Sequence, residues 1–374
     1  MRRLFALIGC IALAPLAQGC ENVVRQSAPE FGEQTPAESS GDGSTGPDPA
    51  SCGRGPAQMR LLTADEFDHA VADLFGDERG FGQQFPGQPV VGGFENNASA
   101  LQTSELMVES LASAAEAISA RVADDLATYL PCAGDESDAC ARTFISEQGE
   151  RVFRRPVTAE EQDRLFEVFE TGKEFGFNAG IEFVLNTMLQ SPSFLYRSEA
   201  LNDDGRFEPY SMASRLSFFL WGSTPDDELL AAARSGALND DEEVTRQAER
   251  MMEDNKARRG FNSFARQWLE LDSMEFLSKN PQLYPEFDNR FRELWSEQLQ
   301  RFVEYAVFDD TSENPLFEAR YTFANQEFAE LYGLEGPTGS EFERVTLNQG
   351  KGLLAQPGVL ALHAHDYAAI YRGE

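Results

Sequence analysis

Histidine is nearly missing from this chain: His69, His363 and His365 are the only copies in 374 residues. Cysteine is scarce too, at five, and no two cysteines stand in a Cys-x-x-Cys. That leaves little material for a histidine-rich metal site or a Cys–His nucleophile. The sequence also lacks a phosphate-cradling glycine loop, a nucleophile elbow and a helix–loop–helix calcium loop. Positive charge is in deficit, with 31 Lys and Arg against 63 Asp and Glu and a net charge of −32. A field of that sign repels phosphate backbones, so no nucleic-acid partner is expected. Past Ala17 no apolar run is long enough to cross a bilayer. Alternation of period two is almost absent, and Glu343-Arg344-Val345-Thr346-Leu347 is the best strand candidate.

What is present begins with an export signal. Arg2 and Arg3 precede an apolar stretch from Leu4 to Ala17, short for a membrane span and right for a signal peptide. Ala17-Gln18-Gly19-Cys20 follows, with small residues one and three places before the cysteine. Two readings fit: lipidation of Cys20, as in bacterial lipoproteins, or ordinary cleavage leaving its thiol free. Lipidation is preferred, because an exposed thiol at a mature N-terminus is reactive in an oxidising space. Residues 20–57 are rich in Ser, Gly, Pro, Thr, Ala and acids. They bury too little apolar area to offset their ordering entropy and read as a tether. The expected setting is the cell envelope, with the membrane reached through the N-terminal lipid, on the periplasmic or surface side of an outer membrane.

Three cysteines then remain in the body. Cys132 and Cys140 bracket a polar loop, which either closes as a disulfide or leaves two buried thiols. The compartment favours the bridge. Cys52 is left without a partner of its own.

The chain is 41% hydrophobic, enough for two or three modules with real cores. Its patterning predicts an all-α fold of stacked helical modules: 58–131, 132–203 and 204–374, after a signal at 1–19. Capping boxes at Thr63–Glu66 and Thr158–Glu161 open helices. Thr103 or Ser104 starts a long one, and Cys140–Phe153 reads as another. Thr224 with Pro225, and Asn239, are expected N-caps. Leu216–Trp221 reads as a buried helix. Asn202-Asp203-Asp204-Gly205 marks a turn. The 29 phenylalanines fall mostly on helical stripes and read as packing. Arg154 and Arg155, paired in so acidic a chain, are expected to clamp carboxylates.

Chemistry is thinly signalled, and catalytic residues are left unassigned. His69 stands alone among acids and reads as structural or solvated. His363-Ala364-His365-Asp366 is the one metal-like cluster, since two imidazoles and a carboxylate on extended backbone can ligate zinc or iron. The acidic groups Asp226–Glu228 and Asp240–Glu243 sit in first helical turns and read as helix caps.

Several segments resemble a known family. Leu61-Leu62-Thr63-Ala64-Asp65-Glu66-Phe67, Val71-Ala72-Asp73-Leu74-Phe75-Gly76 and Gly93-Phe94-Glu95-Asn96-Asn97 look like its opening module. Phe153-Arg154-Arg155-Pro156-Val157-Thr158-Ala159-Glu160-Glu161 and Leu189–Arg197 look like its second, and Arg215–Gly222, Gln267-Trp268-Leu269 and Phe287-Asp288 like its third. These are large secreted proteins of unknown function in planctomycetes and myxobacteria, associated with planctomycete-type cytochrome c domains. The resemblance implies a redox partner protein, and a further module beyond Glu374 carrying the Cys-x-x-Cys-His that attaches haem c. The present sequence itself carries no cofactor motif, and residues 204–374 are expected to be an incomplete module. His363 and Arg372-Gly373 fall where the family has a His and an Arg-Gly, although Tyr367-Ala368-Ala369 replaces its Thr-Ser-Pro. Two functions follow as expectations: a scaffold for an extracytoplasmic redox system, or an oxidoreductase whose haem lies downstream. Glycan binding through exposed Trp and Tyr is a third.

Overall fold

The computed structural model describes residues 59–363, except 203–204 and 283–286. Cys20, Cys52, His365 and Asp366 lie outside the described residues. What is described is all-α, with two small sheets.

Helix α1 (Ala64–Phe75) starts where the sequence says it should. Thr63 and Glu66 close a reciprocal capping box, and Gly76 ends the helix in the left-handed region at φ 61°. Its apolar face (Phe67, Ala70, Val71, Leu74) is buried, and its opposite face is acidic. Helix α2 (Glu105–Asp124) is capped by Ser104. Cys132 and Cys140 then form a disulfide, their Cα atoms 5.8 Å apart, at the entry to α3 (Asp138–Phe153), which begins two residues before the expected start because Ser137 caps it. Helices α4 (Ala159–Lys173) and α5 (Phe177–Gln190) form a hairpin in which a Cβ on Gly180 would stand 2.7 Å from the Phe169 ring. Strand β1 (Arg60–Leu61) pairs antiparallel with β2 (Tyr196–Arg197), which ties the start of the body to the end of this helical group. One apolar core runs from Leu61 to Leu195 and takes in Phe218.

Helices α6 (Pro209–Leu220), α7 (Asp227–Arg234) and α8 (Asp241–Glu253) surround a second core centred on Trp221, which is fully buried and donates its Nε1–H to the Met251 carbonyl at 2.9 Å. Helices α9 (Asn255–Trp268) and α10 (Asn289–Phe308) follow. Then come strand β3 (Tyr321–Ala324), α11 (Gln326–Tyr332), β4 (Glu343–Thr346) and α12 (Pro357–His363). Strand β4 confirms the weak alternation at Glu343–Leu347, and β3 is its antiparallel partner.

Some local expectations are corrected. Thr224 is buried and gives its hydroxyl to the Arg151 carbonyl, so Asp226 caps α7 instead, accepting from Leu229 N–H at 2.9 Å. Asn239 closes the preceding turn onto the Gly236 carbonyl, and Asp240 caps α8. Both acidic groups therefore do cap helices. Within the apolar run 216–221, Phe219 faces outward and is 54% exposed.

The two arginines divide. Arg155 clamps Glu161 bidentately at 2.7 and 2.9 Å. Arg154 takes no carboxylate; it is fully buried at the α3 C-cap, with φ 58°, and donates to the carbonyls of Val152, Ser193, Phe194 and Tyr196. The Arg155 guanidinium holds the Glu161 carboxyl down to about 2, below its ordinary 4.5. A depressed carboxylate contributes stability that is full above the unfolded value and is lost as pH falls through the folded one. Acid titration of the fold should therefore show a component between about pH 4.5 and 2 that Glu161→Gln removes. Identical wild-type and variant curves there would contradict the assignment.

Candidate functional site

Asp65, His69 and Asp73 lie at positions i, i+4 and i+8 of α1, hence on one face. Arg259, Asn262, Ser263 and Arg266 share a face of α9 in the same way. The two faces meet antiparallel through side chains. Asp73 receives Arg259 at 2.8 and 3.3 Å, Lys256 at 3.3 Å and the Ser223 hydroxyl at 2.7 Å. Asp65 receives Arg266 at 3.0 Å and Ser263 at 2.6 Å. On the far side, Glu304 of α10 accepts from Asn262 at 2.7 Å and from Arg258 at 3.2 Å, and Arg258 also forks onto Asp309.

Long side chains thus hold α1, α9 and α10 around an open groove of about 520 Å³, whose lining includes His69, Arg258, Arg259, Asn262, Gln300 and Glu304. The guanidiniums that line it are held by carboxylates, Arg258 by Asp309 and Glu304, Arg259 by Asp73 and Arg266 by Asp65 and Asp272. Two glycines permit the close approach. Gly222 has φ +60°, and its carbonyl accepts from His69 Nδ1 at 3.3 Å. A Cβ on Gly260 would stand 2.6 Å from the Leu220 carbonyl oxygen.

That carbonyl places the His69 proton on Nδ1, and no described residue bonds Nε2. Burial, and then the nearby Arg259, push the imidazole below its ordinary 6.5. Both effects favour the uncharged ring, whose Nε2 lone pair is then open. For Asp73, burial pushes the carboxyl up, but Arg259, Ser223 and Lys256 outweigh it and hold the group below the usual carboxylate range. An NMR titration should place the His69 midpoint under 6.5, and Arg259→Gln should raise it. His69 therefore adds stability that is complete above pH 6.5 and declines as pH falls through the folded midpoint. A midpoint at or above 6.5 would contradict this account.

At one end of the groove the Gly93–Asn97 segment lies on α9. Phe94 stacks on Phe264 and Phe264 on Trp268, each pair with planes 16° apart, and Glu95 N–H donates to Gln267 Oε1. Burial pushes the Glu95 carboxyl above its ordinary range. Trp268 is 36% exposed, whereas Trp221 and Trp295 are buried.

The structure thus brings together residues that the sequence did not single out as a site. Of the metal-like cluster, His363 is exposed on the last turn of α12, and His365 and Asp366 lie outside the described residues. Among the described residues no three His, Cys, Asp or Glu side chains converge as a metal site. The spacing 65–69–73 on α1 and 259–266 on α9 was the available signal, but nothing local says that the two faces meet.

The architecture defines an all-helical protein whose opening and late segments share a polar groove. Three family models match it in order. PSD3, a protein of unknown function (DUF1587), covers residues 60–124. PSD5, a protein of unknown function (DUF1595), covers 140–199. PSD4, a protein of unknown function (DUF1592), covers 207–334. These domains are associated with planctomycete-type cytochromes c. No curated protein and no solved structure matches the chain. The groove therefore lies between the first matched segment, which supplies α1, and the third, which supplies α9 and α10.

Proposed function

We propose that this chain is a lipid-anchored binding body of an extracytoplasmic c-type cytochrome system, and that the groove between α1, α9 and α10 is where it receives a ligand. The observation that carries the reading is the run of three cytochrome-associated segments on one chain. The signal at 2–17, Cys20 and the tether supply the setting, and the Cys132–Cys140 disulfide suits an oxidising compartment. The sequence has no Cys-x-x-Cys-His, so haem attached through that motif belongs to a partner or to a module beyond these residues.

The test is expression of the full chain in a Gram-negative host supplied with labelled palmitate. Wild type should carry the label and sediment with membranes, and Cys20→Ala should be released without it. In envelopes of the source cell, which supply the partner, haem c absorbance should co-purify with the detergent-extracted chain after crosslinking. Unlabelled soluble protein would overturn the anchor, and haem-free crosslinked complexes would overturn the redox assignment.

A second reading is favoured by one observation, the position of His69 on the groove with Nδ1 tied to the Gly222 carbonyl and Nε2 unbonded by any described residue: an oxidoreductase in which this imidazole moves a proton. Under that reading, turnover by a haem-containing preparation falls at least tenfold in His69→Gln while haem content is unchanged. Under the scaffold reading it does not.

A further inference from the structure

Arg60 on β1 and Arg197 on β2 stand directly opposite each other in the antiparallel register. Like charges in that position destabilise a strand pair. Arg197 is partly compensated: Glu66 Oε1 lies 3.3 Å away and the Phe218 ring lies beneath its guanidinium at 4.6 Å. Its Nε is buried and has no partner. Arg60 forms no ion pair or side-chain hydrogen bond with any described residue.

Two more arginines belong to the same cluster. Arg154 is sealed beneath, wrapped in carbonyls. Arg215 of α6 forks from Nη1 alone onto Glu199 at 2.8 and 2.9 Å, and its side chain is 41% exposed. Of these four guanidiniums two hold carboxylates, Arg197 with Glu66 and Arg215 with Glu199, and the other two hold none, in a chain whose net charge is −32. Burial, and then Arg197, hold the Arg60 guanidinium below its ordinary range, while Glu199 and Glu66 recover only part of that.

A local surplus of about two positive charges, half-buried in an acidic protein, is costly unless something negative completes it. The open donors are those of half-buried Arg60, whose side chain no described residue bonds, and the Nη2 and Nε of Arg215, whose side chain reaches solvent. Guanidinium forks match planar or tetrahedral oxyanions.

We infer that the junction of β1, β2 and α6 is an oxyanion seat, in which Arg60 and Arg215 take a carboxylate or phosphate group over the field of Arg197. It lies apart from the groove and does not depend on the redox reading.

The test uses the full chain in chloride at fixed ionic strength, titrated with inorganic phosphate or with acetate and read by thermal unfolding and, for phosphate, by 31P line broadening. Phosphate also stabilises proteins by exclusion from their surface, and that part is common to all variants. Wild type should show an added, saturable rise of several degrees with at least one anion. Arg60→Gln should lose it while remaining folded in chloride, and Arg60→Lys should keep a fraction. A larger response to phosphate assigns the seat to phosphate, and a larger response to acetate assigns it to carboxylate. No saturable response in wild type, or the same response in Arg60→Gln, overturns the proposal.

Discussion

Replacing Arg154 by alanine should cost about 3–5 kcal/mol of folding stability, one of the two largest single effects expected in the molecule. The side chain is sealed from water, and its Nη2 lies 2.9 Å from the carbonyls of Ser193 and Phe194 and 3.1 Å from that of Tyr196. The first two groups belong to the turn that joins α5 to β2 and the third to β2 itself, and all three converge on this one Nη2. Truncation leaves them buried and unpaired, and unpaired buried carbonyls carry their full desolvation cost. Lysine offers a point charge rather than a fork and should recover less than half of the loss. Burial pulls the guanidinium down to about 9, still well above neutrality, so it works as a cation. Its left-handed backbone adds a check: Arg154→Gly should be about 1 kcal/mol milder than Arg154→Ala. Urea unfolding measures all three. An alanine variant within 1 kcal/mol of wild type would show that the carbonyls find other donors.

The second large effect is expected at Gly260. A Cβ there would meet the Leu220 carbonyl oxygen at 2.6 Å and the Trp221 backbone at 2.8 and 2.9 Å, and backbone cannot rotate aside as a side chain can. Gly260→Val must push α9 away from the end of α6, at roughly 3 kcal/mol for overpacking of this kind. The displacement also moves Arg259 and Gly222 relative to His69. The variant should therefore lose stability in urea and shift the His69 titration upward, toward that of a solvated imidazole. A stable variant with an unchanged His69 midpoint would refute the idea that this contact sets the groove.

The fold class was legible because helices are written locally. Thr63–Glu66 and Thr158–Glu161 each carry a helix start within four residues, and the structure builds both boxes. Thr224 misled because its tertiary contact with the Arg151 carbonyl competes with capping, and no nearby residue announces that. The strand pair β1–β2 was illegible for a similar reason. Two residues have no readable period, and their pairing joins distant parts of the chain. Arg154 and Arg155 look alike in sequence and differ only by burial. The groove was half legible: its residues fall at regular helical spacings, but the partner of Asp73 is 186 residues away. His69, which reads alone as solvated or structural, acquires its character from Gly222 and Arg259.

That separation bears on how the molecule comes into being. The chain emerges from the ribosome with Asp65 and Asp73 long before their counter-charges, and Arg60 before the strand that flanks it. Asp73 waits for 186 further residues, about half of the 374, before Arg259 is made. Fragments cut at the borders of the three matched segments would sever the Leu61–Leu195 core and strip α1 of α9. The borders of the matched segments therefore do not coincide with the borders of packing, and a cut at 124–140 should destabilise α1 as well as the helices beside it.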